Sequence, residues 1–179
     1  ENHSLLLTNN GRIFSWGNNT KGQLGIGNRT SRNTPLAVTT YTDFKQIGAG
    51  DMHSVALRNN NYVYTCGDNK HYQLSTVTSA DRTTFASPWT NVQYEYVSVG
   101  ENHNAGKVLN QNTIHLWGDN RCGKLGTPVN NSYHENDPIQ KKNNYISFSN
   151  YKAVSAGGGD TIAINTSDNL RVVGCHGHP

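Results

Sequence analysis

Short apolar segments separated by polar turns run along this chain, and no segment shows the 3.6-residue spacing of an amphipathic helix. In one stretch of about 50 residues we predict four strands, at residues 44–49, 53–57 and 62–66 and, more weakly, near residues 86–89. The Asn59-Asn60-Asn61 cluster is typical of a hairpin turn, because asparagine accepts a positive φ. The pattern therefore predicts an all-β fold of short antiparallel strands.

The pattern repeats along the chain with a period of about 50 residues. The sequence Gly-x-x-His ends at His53 and at His103, a truncated copy stands at His3, and a fourth copy has Asp160 in place of histidine. Two further motifs recur with the same spacing. The first is an aromatic residue or cysteine followed by Gly-Asn or Gly-Asp, as in Trp16-Gly17-Asn18-Asn19, Cys66-Gly67-Asp68-Asn69 and Trp117-Gly118-Asp119-Asn120. The second is a leucine that anchors the loop, at Leu24, Leu74 and Leu125. Four strands per repeat without a helix predict the blade of a β-propeller, with antiparallel strands.

Taken in order, the motifs G-x-x-H-S/T, W-G-x-N and G-Q-L-G resemble the repeat of the regulator of chromosome condensation family, over nearly the whole chain. The resemblance implies a rigid disc, typically of seven blades, whose loops bind another protein. Family members include an exchange factor for the Ran GTPase, an α-tubulin suppressor, ciliary GTPase-associated proteins, ubiquitin-ligase modules, a plant photoreceptor and a bacterial β-lactamase inhibitor, so the fold does not select one function. This chain departs from the pattern at Tyr72, Ser75 and Lys124.

We expect one partial propeller domain over residues 1–179, with repeat units at approximately 1–43, 44–93, 94–150 and 151–179. That is about three blades and part of a fourth. A closed seven-bladed disc needs roughly twice this length, so two hypotheses stay open: the chain is a portion of a longer protein, or two chains close one ring. An open half-disc would expose strand edges, which proteins generally avoid.

Composition and charge exclude several kinds of partner. The 15 Lys and Arg residues are scattered and the formal net charge is +3, so we expect no nucleic-acid interface. No apolar run is long enough to span a bilayer, so we expect no membrane insertion. Three widely spaced cysteines argue against a disulfide framework and favour a reducing compartment, which predicts an intracellular, cytoplasmic or cytoskeletal protein.

Candidate chemistry is weak throughout. The repeat positions of His3, His53 and His103 indicate a structural role for these histidines. Cys175, His176 and His178 form a denser group, but no second pair stands at a spacing typical of zinc sites. No nucleophile elbow, phosphate-binding loop or metalloprotease motif occurs. We therefore expect no catalytic site, no cofactor and no metal.

The loops at one end of the blades are the predicted partner site. In an antiparallel four-stranded blade, the first–second and third–fourth connections emerge on the same face, and rigidly presented aromatic and arginine residues are typical of protein interfaces. The candidate residues are Arg29, Arg32, Asp51, Met52, Lys70, His71, Tyr72, Glu101, Arg121, Tyr133 and His134. Trp16 and Trp117 are predicted to be blade core instead.

Three functions are compatible with this interpretation. The leading hypothesis is a non-enzymatic scaffold that binds another protein or a larger assembly, such as a cytoskeletal or ciliary structure. The alternative is a guanine-nucleotide exchange factor or another regulator of a small GTPase. A third hypothesis is a secreted microbial inhibitor or effector.

Overall fold

The computed structural model describes residues 3–76, 78–89, 91–127 and 146–175. A short 3₁₀ helix stands at Arg121–Gly123, and no helix of the described residues is long and apolar enough to cross a membrane. The strands are β1 (His3–Leu7), β2 (Ile13–Gly17), β3 (Arg32–Ala37), β4 (Phe44–Ala49), β5 (His53–Arg58), β6 (Val63–Gly67), β7 (Arg82–Ala86), β8 (Tyr94–Val99), β9 (His103–Val108), β10 (Thr113–Gly118), β11 (Ile146–Ser149), β12 (Tyr151–Gly157), β13 (Asp160–Asn165) and β14 (Leu170–Gly174).

The strands form four antiparallel sheets, which we call blades 1 to 4. Blade 1 is β1-β2-β3, blade 2 is β4-β5-β6-β7, blade 3 is β8-β9-β10-β11 and blade 4 is β12-β13-β14. The all-β fold with four-stranded antiparallel blades is confirmed. One strand was misplaced: the fourth strand of blade 2 is Arg82–Ala86, which overlaps the predicted segment 86–89 only at Ala86. Trp89 leaves the sheet because its ring packs in the apolar core, where it is 8% exposed.

Apolar side chains hold the blades together face to face. Between blades 2 and 3, Val55 and Leu57 pack against Trp89, Tyr94 and Trp117. Similar clusters lie between blades 1 and 2 and between blades 3 and 4. Because burial of apolar surface is the main favourable term in folding, these three layers supply most of the stability.

The two tryptophans predicted to be blade core differ in exposure within the described residues. Trp117 is 1% exposed between blades 2 and 3. Trp16 is only half-buried, because it alternates along β2 with the buried Ile13 and Ser15, whose side chains point towards blade 2. Trp16 therefore lies on the face of blade 1 that turns away from the other blades.

The surroundings of two glycines show why the repeat motifs require glycine at these positions. Gly67, after Cys66, has φ +104°, and a Cβ there would collide with the backbone of Met52 and His53. Gly50 lies directly against the imidazole ring of His53, so a Cβ at this position would overlap the ring. The Gly-x-x-His motif thus encodes a packing contact: the histidine ring occupies the space of the missing side chain.

The innermost strands are joined by side chains that bond to backbone. Gln46 on β4 accepts a hydrogen bond from the Val97 amide (2.9 Å) and donates one to the Val97 carbonyl (2.7 Å). Tyr96, at the equivalent position on β8, accepts a hydrogen bond from the Val154 amide (2.8 Å). These bonds fix the relative height of blades 2, 3 and 4, and hence of the loops at their ends.

Candidate protein-interaction face

In blades 2, 3 and 4 the connection after the first strand, and in blades 2 and 3 also the connection after the third strand, lies at one end of the blades, because the strands alternate in direction. The β2–β3 loop of blade 1 lies at the same end, because β1 pairs with β2 as β5 pairs with β6 and β9 with β10. We call this end the loop face, and its described residues are 18–31, 50–52, 68–76, 78–81, 100–102, 119–127 and 158–159. Backbone bonds tie its inner turns together: the Asp51 amide donates to the Glu101 carbonyl (2.9 Å), and the Glu101 amide donates to the Gly158 carbonyl (3.1 Å). The turns of three blades therefore form one connected rim.

A histidine bridge joins blade 2 to blade 3 beneath this rim. The Nε2 atom of His53 lies 2.8 Å from Oδ1 of Asn104, and Asn104 donates through Nδ2 to the carbonyl of Gln73 (2.9 Å). Since an amide oxygen can only accept, His53 carries its proton on Nε2. His53 and Asn104 are both fully buried, and burial lowers the pKa of His53, so the bridge is neutral.

The same bridge recurs at the other two junctions with different acceptors. His3 bonds to the hydroxyl of Ser54 (2.8 Å), and Ser54 donates to the carbonyl of Gln23 (2.7 Å). His103 bonds to the hydroxyl of Thr161 (2.9 Å). Burial lowers the pKa of His3 and of His103 to about 4, so both are neutral near pH 7. The structure thus gives all three repeat histidines a structural role.

A buried asparagine clamps each long loop. The side-chain oxygen of Asn19 accepts the Leu24 amide (3.0 Å), and that of Asn69 accepts the Leu74 amide (2.8 Å). Asn120 does the same for the Leu125 amide at 2.9 Å. This explains the last position of the W-G-x-N motif: a long loop is ordered here by an internal acceptor, which offsets the entropy cost of fixing it.

Ion pairs neutralise much of the charge on the loop face. Lys21 of blade 1 contacts Asp68 of blade 2 at 2.9 Å. In blade 3, Asp119 is fully buried and pairs with both Arg121 (2.9 Å) and Lys124 (2.8 Å). Although burial alone would raise it, hydrogen bonds from these two cations lower the pKa of Asp119 to about 2.

The predicted site residues that the structure describes lie at this end of the blades, but they differ in availability. Arg29 is held by Asp81 (3.0 Å), and Arg121 is held by Asp119, so both are committed to ion pairs within the chain. The exposed members are Arg29, Arg32, Lys70 and Glu101, and the half-buried members are Asp51, Met52, His71, Tyr72 and Arg121. Tyr133 and His134 lie outside the described residues.

Tyr72 and His71 stand out by their local structure. Tyr72 has φ +60°, a left-handed conformation that the equivalent Gly22 and Gly123 adopt without penalty. Burial lowers the pKa of His71, while the Asp119 carboxylate acts in the opposite direction. His71 on blade 2 therefore lies near Asp119 and Arg121 on blade 3. These three residues and the sequence neighbours of His71, Lys70 and Tyr72, are together called the junction patch.

A cysteine pair that was not predicted from the sequence joins blades 3 and 4. Cys122 of blade 3 and Cys175 at the end of β14 form a disulfide bond, with Cα atoms 4.9 Å apart. The cysteines were expected not to form a disulfide framework, and this single bond arises because two positions 53 apart in the sequence meet where neighbouring blades pack. Cys66, the remaining cysteine, is free and buried.

Metal ligands do not gather in the described part of the chain. No group of three His, Cys, Asp or Glu side chains in these ranges could hold a metal ion. Cys175 of the denser group is bonded to Cys122, and His176 and His178 lie outside the described residues.

The opposite end of the blades carries a recess of a different kind. A polar groove of about 620 Å³ lies there, and its lining includes Tyr62, Gln93, Gln111, Thr113 and His115. Burial lowers the pKa of His115 to about 4, so the histidine adds no charge near neutral pH.

Comparisons with known proteins find matches to the sequence repeat of this chain. The model of the regulator of chromosome condensation (RCC1) repeat matches residues 10–57, and a second model of the same repeat matches residues 44–73. The chain carries repeats of the regulator of chromosome condensation family. Both matches include the Gly50–His53 motif, in which the glycine makes room for the histidine ring.

Three proteins show how far the similarity extends. An RCC1 domain-containing protein of Dictyostelium discoideum is 51% identical over 37 residues, which are 21% of this chain and 7% of the relative. The human X-linked retinitis pigmentosa GTPase regulator is 38% identical over 52 residues, 27% of this chain and 5% of the relative. The structure of Prp20, the RCC1 protein of Saccharomyces cerevisiae, superposes with a TM-score of 0.78 at 20% identity. It covers 97% of this chain and 42% of Prp20, so the fold is that of an RCC1-type β-propeller and the chain spans less than half of that structure.

Proposed function

We propose that this protein is a non-enzymatic interaction module that presents its loop face to a protein partner. The observation that carries the proposal is that hydrogen bonds within the chain already hold the loops of this face in place. The Asn69 and Asn120 clamps fix the loops, and the His53–Asn104 bridge fixes blade 2 against blade 3. Because a preordered surface loses little conformational entropy on association, binding energy is not spent on folding the loops.

The junction patch is the part of the loop face that best fits an interface. Tyrosine and arginine dominate the residues that carry binding energy at protein interfaces. Tyr72 and Arg121 are half-buried, so each is anchored while part of its side chain stays accessible, and Lys70 is exposed. Asp119 is balanced by two cations, which leaves the patch with excess positive charge and favours a partner with acidic side chains.

A small GTPase is the partner class that the comparisons favour, and it is our second candidate. One relative is named a GTPase regulator, and the Prp20 structure is described together with binding to Gsp1p and histones. An exchange factor needs no covalent chemistry: it binds the GTPase and weakens nucleotide affinity. An intracellular assembly, cytoskeletal or ciliary, is the setting that we propose for the scaffold.

Quantitative co-purification tests the scaffold proposal. The Lys70→Glu/Tyr72→Gly variant reverses one charge and removes one ring of the junction patch, and glycine keeps the backbone of position 72. The matched control, Lys45→Glu/Tyr62→Ala, makes the same kinds of change away from the loop face. We expect a partner that co-purifies in fixed stoichiometry with the natural protein and the control to be lost from the patch variant. Equal recovery with both variants would overturn the proposal.

Nucleotide release tests the GTPase candidate separately. The protein is added to a panel of small GTPases loaded with fluorescent GDP, and the release rate is compared with that of the Lys70→Glu/Tyr72→Gly variant. An exchange factor accelerates release from at least one GTPase, and the variant loses this effect. No acceleration across the panel would remove this candidate and leave the scaffold untouched.

A further inference from the structure

The loop face contains a pair of equivalent positions at which each blade meets the next, and the chemistry of this pair changes from junction to junction. Aligning the loops on their asparagine clamps places Lys21, His71 and Cys122 at one position. Aligning the strand ends on Gly67, Gly118 and Gly174 places Asp68, Asp119 and Cys175 at the other. The backbone confirms the second alignment, because the amides of Asp68, Asp119 and Cys175 donate to the carbonyls of Met52, Asn102 and Gly159.

These two positions face each other across every junction. Lys21 of blade 1 forms an ion pair with Asp68 of blade 2 at 2.9 Å. His71 of blade 2 lies within electrostatic range of Asp119 of blade 3. Cys122 of blade 3 is bonded to Cys175 of blade 4. The disulfide therefore stands where an ion pair stands one junction earlier.

The third loop has a different backbone at the cysteine, and the sequence explains it. In the first two loops, a glutamine side chain accepts the amide of the contact position: Gln23 accepts that of Lys21 (2.9 Å) and Gln73 that of His71 (2.8 Å). Lys124 replaces this glutamine in the third loop and has no acceptor atom to offer. Cys122 has φ +61°, whereas Lys21 and His71 lie outside the left-handed region.

We infer that Cys122 and Cys175 form a reversible thiol–disulfide clasp that locks the third loop onto blade 4. In the reduced state the left-handed backbone of Cys122, which is unfavourable for a residue with a Cβ, is no longer held by the bond, and the loop relaxes towards the conformation of the other two. The junction between blades 3 and 4 is thereby controlled by thiol redox state, and the junction between blades 1 and 2 by salt. The inference does not depend on which partner binds the loop face.

The exchange can be written with a low-molecular-weight disulfide such as glutathione disulfide as oxidant. The thiolate of Cys122, which is exposed, attacks one sulfur of glutathione disulfide and releases one glutathione. The thiolate of Cys175 then attacks Sγ of Cys122, which forms the Sγ–Sγ bond and releases the second glutathione. Two protein thiols lose two electrons and two protons, and one disulfide is reduced to two thiols.

Cys66 serves as an internal reference for this chemistry. Its side chain is fully buried, and burial raises the pKa of its thiol, so it does not form the reactive thiolate at neutral pH. In the native protein, an alkylating reagent should therefore modify the two clasp cysteines when they are reduced and leave Cys66 unmodified.

Alkylation after equilibration in glutathione buffers tests the inference on the purified protein. With rising oxidised fraction, we expect the number of native thiols that react with N-ethylmaleimide to fall from two to none in one two-electron step. Peptide mapping should then show residues 122 and 175 cross-linked. Three results would overturn the inference: two reactive thiols in fully oxidising buffer, a lasting glutathione adduct at Cys122, or a bond that no physiological glutathione ratio reduces.

Hydrogen exchange with two variants tests the effect on the loop. In the natural protein, reduction should speed exchange of the Gly123 amide, which donates to the Asn120 carbonyl (2.9 Å), by roughly tenfold, because a local opening is no longer blocked. Cys122→Ser should behave like the reduced protein in both buffers. Cys122→Lys/Cys175→Asp, which transplants the ion pair of Lys21 and Asp68, should be insensitive to reductant but sensitive to salt. Identical exchange of the natural protein in both redox states would refute a clasp that controls the loop.

Discussion

Replacing Asn104 by leucine should destabilise the protein by breaking the bridge between blades 2 and 3. Leucine has nearly the shape of asparagine but can neither accept from Nε2 of His53 nor donate to the carbonyl of Gln73. Each buried polar group left without a partner costs about 1–3 kcal/mol, and two groups are orphaned here. We expect Asn104→Leu to lower the free energy of unfolding by about 3 kcal/mol, which raises the unfolding equilibrium constant by roughly a hundredfold.

Urea titration followed by tryptophan fluorescence measures this change, since Trp89 and Trp117 lie in the apolar cluster between the same two blades. The matched control is Asn104→Ser, because Ser54 already accepts from His3 and donates to a carbonyl at the preceding junction. The serine variant should stay within about 1 kcal/mol of the natural protein. A leucine variant as stable as the natural protein, or a serine variant as unstable as the leucine variant, would refute the reasoning.

Three further predictions concern other parts of the structure. Burial lowers the pKa of His103 from 6.5 to about 4, so on acidification the unfolded state binds a proton before the folded state does. The contribution of His103 to the free energy of unfolding is complete above pH 6.5, and it should fall by about 2 kcal/mol between pH 7.5 and pH 5 in urea titrations. The His103→Gln variant should lose less stability over the same pH range. Asp119→Asn removes the carboxylate that pairs with the ammonium of Lys124, whose side chain is 5% exposed, and should lower the free energy of unfolding by about 3 kcal/mol in the same assay. Lys124→Gln restores the residue found in the first two repeats and should lower it by less than about 1 kcal/mol. Gly50→Ala should lower the melting temperature, because overlap with the histidine ring costs about 2 kcal/mol of stability. Gly157→Ala, with no atom within 4 Å of the new methyl group, should leave the melting temperature unchanged. Equal effects of the two variants would contradict the packing role of the motif.

Features that repeat within one blade could be predicted from the sequence. The strands β4 and β5, the turn at Asn61 with φ +66°, and the burial of Trp117 follow from alternation, turn chemistry and the period of about 50 residues. Each depends on neighbours that are near in sequence or related by one period. The fold class could therefore be predicted before the structure was known.

Features that depend on contacts between blades could not be predicted in the same way. The ion pair of Lys21 with Asp68 and the bond of Cys122 with Cys175 join a loop position of one repeat to a strand-end position of the next. Although Asp68 lies in a repeat motif, no motif indicates which loop residue faces it, so the pairing emerges only when the blades are packed side by side.

The half-burial of Trp16 has a related cause. Its position in the repeat is the same as that of Trp117, which is buried because blade 2 covers it. Position in the repeat decides which face of the sheet a side chain occupies, but exposure depends on what covers that face. A prediction of burial from the motif alone therefore needs the neighbouring blade to be known.

Site-specific photo-crosslinking tests the central claim, that the loop face binds the partner, most directly. A benzophenone amino acid is placed at Tyr72 in the junction patch or, as the control, at Tyr62 in the polar groove at the opposite end, and the protein is irradiated together with its co-purified assembly. The account predicts a covalent adduct with one partner protein from position 72 and none from position 62. An adduct from position 62 alone would contradict the claim and place the partner at the opposite end of the blades.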